Sequence, residues 1–445
     1  MTFPLSESKS AQLFERARHT MPGGNTRHMI TFGPYIIYAD RGEGCRLWDV
    51  DGNQYIDWVN NFSSHIHGHA SPEIISALSE QLKGLMSCIL PAEAELELAE
   101  LLVDRFEGLE QVRFNNSGTE AVMVAIKAAR AYTGRSKIMK TEGGYHGQYD
   151  LVETSFLPTP ETWGDESCPS VLPFAKGTPQ SLLDEVVVVA FNKTEATREL
   201  IRQHGDELAA VIIDPIPARL GFTRASKEYL EMLREETRRY GIVLIFDEVF
   251  CARAGYNGAQ GEIGVIPDLT TLGKIIGGGL PVGAIGGTRE LMSVFDNLAG
   301  PLKVSHSGTF TANSMTMVAG LTAMKMLTPE VFEKLAGQGD RLRAGLNREM
   351  ELAGFIGRAN GEASMSSIQL FQQPANTYRD FVLKSGPGYL QRMLRLHRHM
   401  LNQGVLMATR GLMVGSTAMS DADIDETIEK SGRAFRLYVE ENGHL

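Results

Sequence analysis

The chain has 445 residues, and its 43 Lys plus Arg against 54 Asp plus Glu give a net charge of −11 at neutral pH. That balance argues against a general nucleic-acid binder, which needs a basic surface. With 43% hydrophobic and 22% charged residues, it has a globular composition and enough length for two or three domains.

Residues 8–21 predict a short amphipathic helix, stopped by Pro22-Gly23-Gly24. Tyr35 to Trp58 alternates apolar and polar residues around Asp51-Gly52-Asn53, which predicts a hairpin. From about residue 71 the period lengthens: Ile74, Ile75, Leu78 and Leu82 fit a helix face, as do Leu98, Leu101 and Leu102. Short apolar runs then alternate with helical stretches. The expected strands are VRF (112–114), KIMK (137–140), VVVVAF (186–191), AAVIID (209–214), GIVLIFDEV (241–249) and LTTLG (269–273). The expected helices lie near 119–132, 194–204, 226–239 and 312–327, followed by a C-terminal region of helices and short strands. Strands that are apolar throughout, separated by helices, imply an α/β fold with a mostly parallel sheet. Cys45, Cys88, Cys168 and Cys251 lack CxxC spacing and read as reduced thiols. The start MTFPLSESKS has no basic stretch leading into an apolar run, and no apolar run reaches the roughly 18 residues of a membrane span. The expectation is a cytoplasmic protein.

Four motifs are candidates for chemistry, each with a plainer alternative: a helix cap for the first, a cap or surface acid for Asp247, a solvated loop lysine for Lys274 and a turn with a half-buried tyrosine for the fourth. Asn115-Asn116-Ser117-Gly118-Thr119-Glu120 joins a strand to a helix, where backbone amides favour an anion such as phosphate; Ser117 or Thr119 as a plain helix cap is the alternative. Asp247-Glu248-Val249 ends an apolar strand, the place where open parallel sheets bind ligands. Lys274 follows LTTLG and precedes a glycine run; burial would make its amine nucleophilic, as Schiff-base chemistry needs. Gly143-Gly144-Tyr145-His146-Gly147 offers an aromatic pair suited to stacking on a planar ring. A phosphate cradle, an aromatic plate, a carboxylate and a lysine together match the needs of pyridoxal phosphate (PLP).

These residues carry a resemblance. MPGGN (21–25), LWDVDGNQYIDW (47–58), GHASPEI (68–74), FNNSGTEAVMVAIKAAR (114–130), GGYHG, IFDEV (245–249), TLGKIIGGGLPVGAIGG (271–287) and HSGTFTAN (306–313) occur in the order of the class III, PLP-dependent aminotransferases of fold type I. Among these the chain is most similar to the glutamate-1-semialdehyde 2,1-aminomutase branch. The resemblance implies a large domain (66–318) with a mostly parallel seven-stranded sheet. It also implies an N-terminal segment (1–65) that covers the active site, and a small C-terminal domain (319–445). It makes Lys274 the lysine that binds the cofactor and moves the substrate proton, and Asp247 the acid paired with the pyridine nitrogen. Tyr145 and Val249 would pack on the ring, while Ser117, Gly118 and Thr119 would hold the phosphate. His146 and Asp214 join the cofactor set by their motifs. Thr309 resembles a threonine that reaches the phosphate of the neighbouring subunit, which implies a homodimer with shared sites.

The chain departs from the aminomutase pattern twice. Where that branch has EP-x-x-GN it has Asp214-Pro215-Ile216-Pro217-Ala218-Arg219, and where it has PS-x-x-E it has Ala408-Thr409-Arg410-Gly411-Leu412. The second segment is similar to β-phenylalanine-type aminotransferases, in which an arginine contacts substrate carboxylate. Arg410, Arg27 and Arg219 are the candidate carboxylate contacts, because a guanidinium grips a carboxylate at two points. The expected activity is amino transfer between an amino acid and a 2-oxo acid, in two half-reactions. By the second segment the donor is a β-amino acid, with aromatic ones among the candidates. Competing readings are an intramolecular aminomutase and a PLP-binding protein without turnover. His65-x-His67-x-His69 has the period of one strand face, but no metal is expected there. Ser420-x-x-Asp423 reads as a helix cap rather than a calcium loop, and His397-Arg398-His399 as a solvated helix face.

Overall fold

The computed structural model describes residues 3–5, 7–298 and 300–443. The chain divides into two compact units. The larger comprises Glu73–Phe332 and Ala375–Lys384; the smaller comprises Met1–Pro72, Glu333–Pro374 and Ser385–Leu445. Residues 1, 2, 444 and 445, the outer ends of the expected first and last segments, lie outside the described residues.

The larger unit is built on seven strands: β1 (Gln111–Asn115), β2 (Lys137–Thr141), β3 (Val186–Val189), β4 (Leu208–Ile213), β5 (Val243–Asp247), β6 (Leu269–Gly273) and β7 (Gly283–Gly287). Their spatial order is β1-β7-β6-β5-β4-β2-β3. The neighbours from β6 to β3 pair in parallel, whereas β7 runs antiparallel to both β6 and β1. This is the expected fold type I architecture, a mostly parallel seven-stranded sheet among helices. Every residue of β3, β4, β5 and β6 is buried, as strands covered on both faces require.

The helix Gly118–Thr133 lays Val122, Ala125, Ile126 and Ala129 against Ile138, Val188, Ala210, Ile212, Val243 and Ile245, which belong to one apolar cluster. Burying each large aliphatic side chain there stabilises the fold by roughly 1.5–3 kcal/mol. A left-handed Gly134 ends the helix.

In the smaller unit, Arg46–Asp49 and Gln54–Asp57 form the expected hairpin. Asp49 fixes its turn by accepting from the amides of Asp51 and Asn53, from Asn53 Nδ2 and from Tyr55 Oη. Ala39–Glu43 and Val405–Leu406 flank this pair. A second sheet joins Arg358–Glu362, Met365–Gln369 and Leu412–Val414. Between the elements of this unit, Trp58 is buried and donates from Nε1 to Thr427 Oγ1 at 2.9 Å.

Four local expectations are corrected. The first helix ends at Arg18, short of the Pro-Gly-Gly stop. Ile75 and Leu82 are exposed, so only Ile74 of the predicted face is buried in Pro72–Gln81. Residues 65–69 form no strand, His69 making only an isolated bridge with Gly44: His69 Nε2 lies 2.8 Å from Asp57 Oδ2, and His67 Nδ1 lies 2.9 Å from Thr417 Oγ1. His397 is 2% exposed and packs edge-on against Phe32, because helix Tyr389–Asn402 turns that face inward. Ser420 does cap its helix, in a reciprocal box with Asp423. No helix among the described residues is long and apolar enough to cross a membrane.

Candidate active site

The C-terminal ends of β2, β4, β5 and β6 carry the chemistry-bearing residues of the larger unit. Asp247 is the last residue of β5 and is 5% exposed. Its carboxylate accepts from Thr271 Oγ1 at 2.9 Å and from Val249 N at 3.2 Å, and lies 2.8 Å from His146 Nδ1. Thr271 comes from the neighbouring strand β6, and nothing local in the sequence marks its role.

Lys274 follows β6 with φ +49°, a left-handed conformation unusual for a side-chain-bearing residue. Such backbone strain is tolerated where the surroundings hold it and clusters at functional sites. Its Nζ lies 4.8 Å from the centre of the Phe250 ring. Burial lowers the Lys274 pKa, against the opposing pull of Asp247 and Asp214. Asp214 follows β4; burial, then the Asp247 charge, push its pKa up to about 7. Lys274, Asp247 and Asp214 therefore sense one another electrostatically.

Ser117 caps the helix Gly118–Thr133, its Oγ accepting from Glu120 N at 3.2 Å. The amides of Gly118 and Thr119 open that helix, at its positive end. Gly118 is required by proximity: a Cβ there would stand 2.7 Å from Val249 Cγ1. Val249 also lies beside Gly273, so the helix start, the residue after Glu248 and the strand end before Lys274 meet at one isopropyl group.

The glycine-flanked loop after β2 packs on the same helix start. A Cβ on Gly147 would meet Thr119 Oγ1 at 2.6 Å, and Gln148 N donates to that oxygen at 3.2 Å. Tyr145 is 47% exposed, with its ring centre 5.3 Å from that of Phe156. His146 is buried.

Glu248 is structural. It is fully buried and accepts from Ala259 N, Gln260 N and Gln260 Nε2 at 2.6, 3.0 and 2.9 Å. Thr309 is exposed, one residue after Gly308, whose added Cβ would lie 3.5 Å from Asn116 Nδ2.

The three arginines occupy different places. Arg219, in the turn Ala218–Leu220 of the larger unit, stacks 4.7 Å over Phe156. Arg27 and Arg410 belong to the smaller unit. Arg27 is exposed and donates to Asn61 Oδ1 at 2.9 Å. Arg410 sits in a turn closed by Gly411 N donating to Ala408 O at 2.8 Å. Thr409 Oγ1 donates to Met29 O at 2.9 Å, tying this turn to the segment just after Arg27. Among the described residues no cluster of three or more His, Cys, Asp or Glu has the arrangement of a metal site.

The convergence of a buried lysine, a hydrogen-bonded carboxylate, a half-exposed tyrosine and a helix start opened by glycine fits a phosphorylated pyridine aldehyde. The fold and these residues together define a PLP-dependent enzyme of fold type I. The family model for "Aminotransferase class-III" matches residues 31–435, and the chain belongs to that family. A crystal structure of an omega-transaminase from Sphaerobacter thermophilus is 48% identical, with a TM-score of 0.94, covering 97% of this chain and 98% of that one. A β-phenylalanine aminotransferase from Variovorax paradoxus is 35% identical, with a TM-score of 0.85, over 99% and 96% of the two chains. Glutamate-1-semialdehyde 2,1-aminomutase 2 of Exiguobacterium sp. is 38% identical over 443 residues, 98% of this chain and 99% of its own.

Proposed function

We propose that the chain is a transaminase that moves an amino group between an amino acid, a β-amino acid in particular, and a 2-oxo acid by a ping-pong mechanism. The observation that carries this reading is the shared surroundings of Lys274 and Asp247 at the ends of neighbouring strands. When bound, PLP supplies an aldehyde that takes up the amino group and a ring that draws electrons from the adjacent carbon.

This chain's residues do the rest. Lys274 supplies an amine whose pKa burial lowers, which favours its action as a nucleophile, and afterwards carries the substrate proton. Asp247 holds a proton on the pyridine nitrogen, and His146 and Thr271 keep its carboxylate in place. Tyr145 and Val249 would pack on the ring, Ser117, Gly118 and Thr119 would hold the phosphate, and Asp214 would join the cofactor set. Arg410 and Arg27 receive the substrate carboxylate, with Arg219 as the third candidate; the Thr409–Met29 bond that joins the first two segments supports this assignment. We also propose a cytoplasmic homodimer in which Thr309 of each subunit reaches the other's phosphate. The exposed Phe310 beside Thr309, and the exposed Ile89, Leu90 and Leu298 elsewhere on the chain, are apolar side chains that an assembly would cover.

The aminomutase relatives favour a second reading, intramolecular amino transfer within glutamate-1-semialdehyde. The Arg410 turn, where that branch has its glutamate segment, and the 48% identical omega-transaminase weigh toward intermolecular transfer. A panel of α-, β- and ω-amines against pyruvate and 2-oxoglutarate decides. Turnover that requires a separate oxo acid supports transamination; turnover of the semialdehyde alone overturns it.

A further inference from the structure

The larger unit is not continuous in sequence: it takes up Ala375–Lys384 from the C-terminal third, while the residues on either side belong to the smaller unit. What those ten residues touch is specific. Arg379 grips Glu142 with both arms of its fork, Nε to Oε2 at 2.9 Å and Nη2 to Oε1 at 3.1 Å. The same guanidinium donates to the carbonyls of Gly164 at 2.9 Å, Trp163 at 2.9 Å and Asp165 at 3.3 Å, and lies 4.9 Å over the Trp163 ring. Both Arg379 and Glu142 are buried, at 8% and 2% exposure.

The neighbouring Tyr378 is buried too, and its ring fills the space a side chain on Gly143 would need. Gly143 has φ +72°, and Tyr378 Oη donates to Pro158 O at 3.0 Å. Two further bonds reach other loops at the same sheet end. Thr223 Oγ1, after the Arg219 turn, donates to Ala375 O at 3.2 Å, and Asn192 Nδ2, after β3, donates to Asn376 O at 3.2 Å. The ten residues thus lace together the loops following β2, β3 and β4.

Glu142 and Gly143 are the root of the loop that presents Tyr145 and brings His146 to within 2.8 Å of Asp247. A planar fork holding a carboxylate at two points sets its orientation as well as its distance. A buried acid whose two-point counter-charge is removed either distorts its surroundings or takes up a proton. Three glycines in five residues give the loop little stiffness of its own.

We propose that Arg379, with Tyr378, is a positioning clamp that fixes the Glu142–Gly147 loop and through it the Tyr145 plate and the His146–Asp247 contact. The inference rests on the PLP reading above for what those residues do, but not for the clamp itself.

Arg379→Lys keeps the charge and loses the fork and carbonyl contacts. Arg379→Met with Glu142→Gln removes the guanidinium and the acid it holds together. In both, far-UV circular dichroism is expected to remain that of the wild type. Amide exchange over residues 142–148 of the apoprotein is expected to quicken. The dissociation constant for added PLP should rise about tenfold, the loss of one charged hydrogen bond. The pH midpoint of the bound cofactor's visible absorbance should move, which a purely structural role elsewhere would not produce. Folded variants whose exchange, PLP affinity and midpoint all match the wild type overturn the clamp. A wild type that takes up no PLP overturns the cofactor reading instead, and the exchange measurement then decides the clamp alone.

Discussion

His146 Nδ1 stands 2.8 Å from Asp247 Oδ2, and both side chains are buried. The imidazole comes from the loop after β2 and the carboxylate from the end of β5. Their contact crosses β4, which lies between those strands in the sheet. Removing one partner tests it: His146→Ala should lower kcat by about 10–100-fold, the value of a hydrogen bond to a charged group. KM for the amino donor should change less, because the contact His146 makes in the site is with Asp247. Steady-state kinetics at saturating PLP check this, and an unchanged kcat removes His146 from the site.

Lys274→Ala should abolish amino transfer and the visible absorbance of the lysine-bound cofactor. A spectrum and a coupled oxo-acid assay suffice. Wild-type absorbance and turnover in this variant would refute the assignment of the lysine.

Arg410→Ala should raise KM for carboxylate-bearing donors about 10–100-fold, as expected for a lost charged hydrogen bond. Simple amines without a carboxylate should be used as well as before. Arg27→Ala is expected to act in the same direction. The same loss for both donor classes would mean that Arg410 supports the fold and not the carboxylate.

Asp214 links pH to stability. Its pKa rises from 3.8 to about 7 on folding, chiefly through burial. A carboxyl whose folded pKa is raised contributes its full stability below the unfolded value. That stability is lost as pH climbs toward 7, since the folded chain must then carry a buried charge. The apoprotein should therefore lose stability between about pH 4 and 7, on the order of 1.4 kcal/mol for each step of one in pH. Glu248 is raised to about 7 in the same way, so the two effects overlap. Asp214→Asn should flatten part of the slope in urea midpoints measured across this range. A slope equal to that of the wild type would mean that Asp214 does not titrate there.

The parts of this architecture that local sequence dictates were legible. Val186–Val189 and Val243–Asp247 are too short and too apolar for anything but covered strands. Lys274 and Asp247 stand out because each ends such a strand. Strand Gly283–Gly287 was not legible as one: Gly-Ala-Ile-Gly-Gly has little β propensity, and glycine serves there because Gly283 and Gly286 lie against Ser117 O and Leu109. The inward turn of His397 escaped because its charged neighbours on the helix imply a wet face, while the partners that bury it lie hundreds of residues away. Thr271 and Arg379 carry no local signal, since each matters only through a partner brought near by folding.

The placement of Arg379 also bears on how the protein is made. Glu142 leaves the ribosome long before residue 379 is synthesised, so a nascent chain ending at Phe332 has all seven strands and no guanidinium to hold that acid. Completion of the Tyr145 loop must wait until residue 379 has been made, and a recombinant fragment of residues 73–332 would inherit the same deficiency permanently.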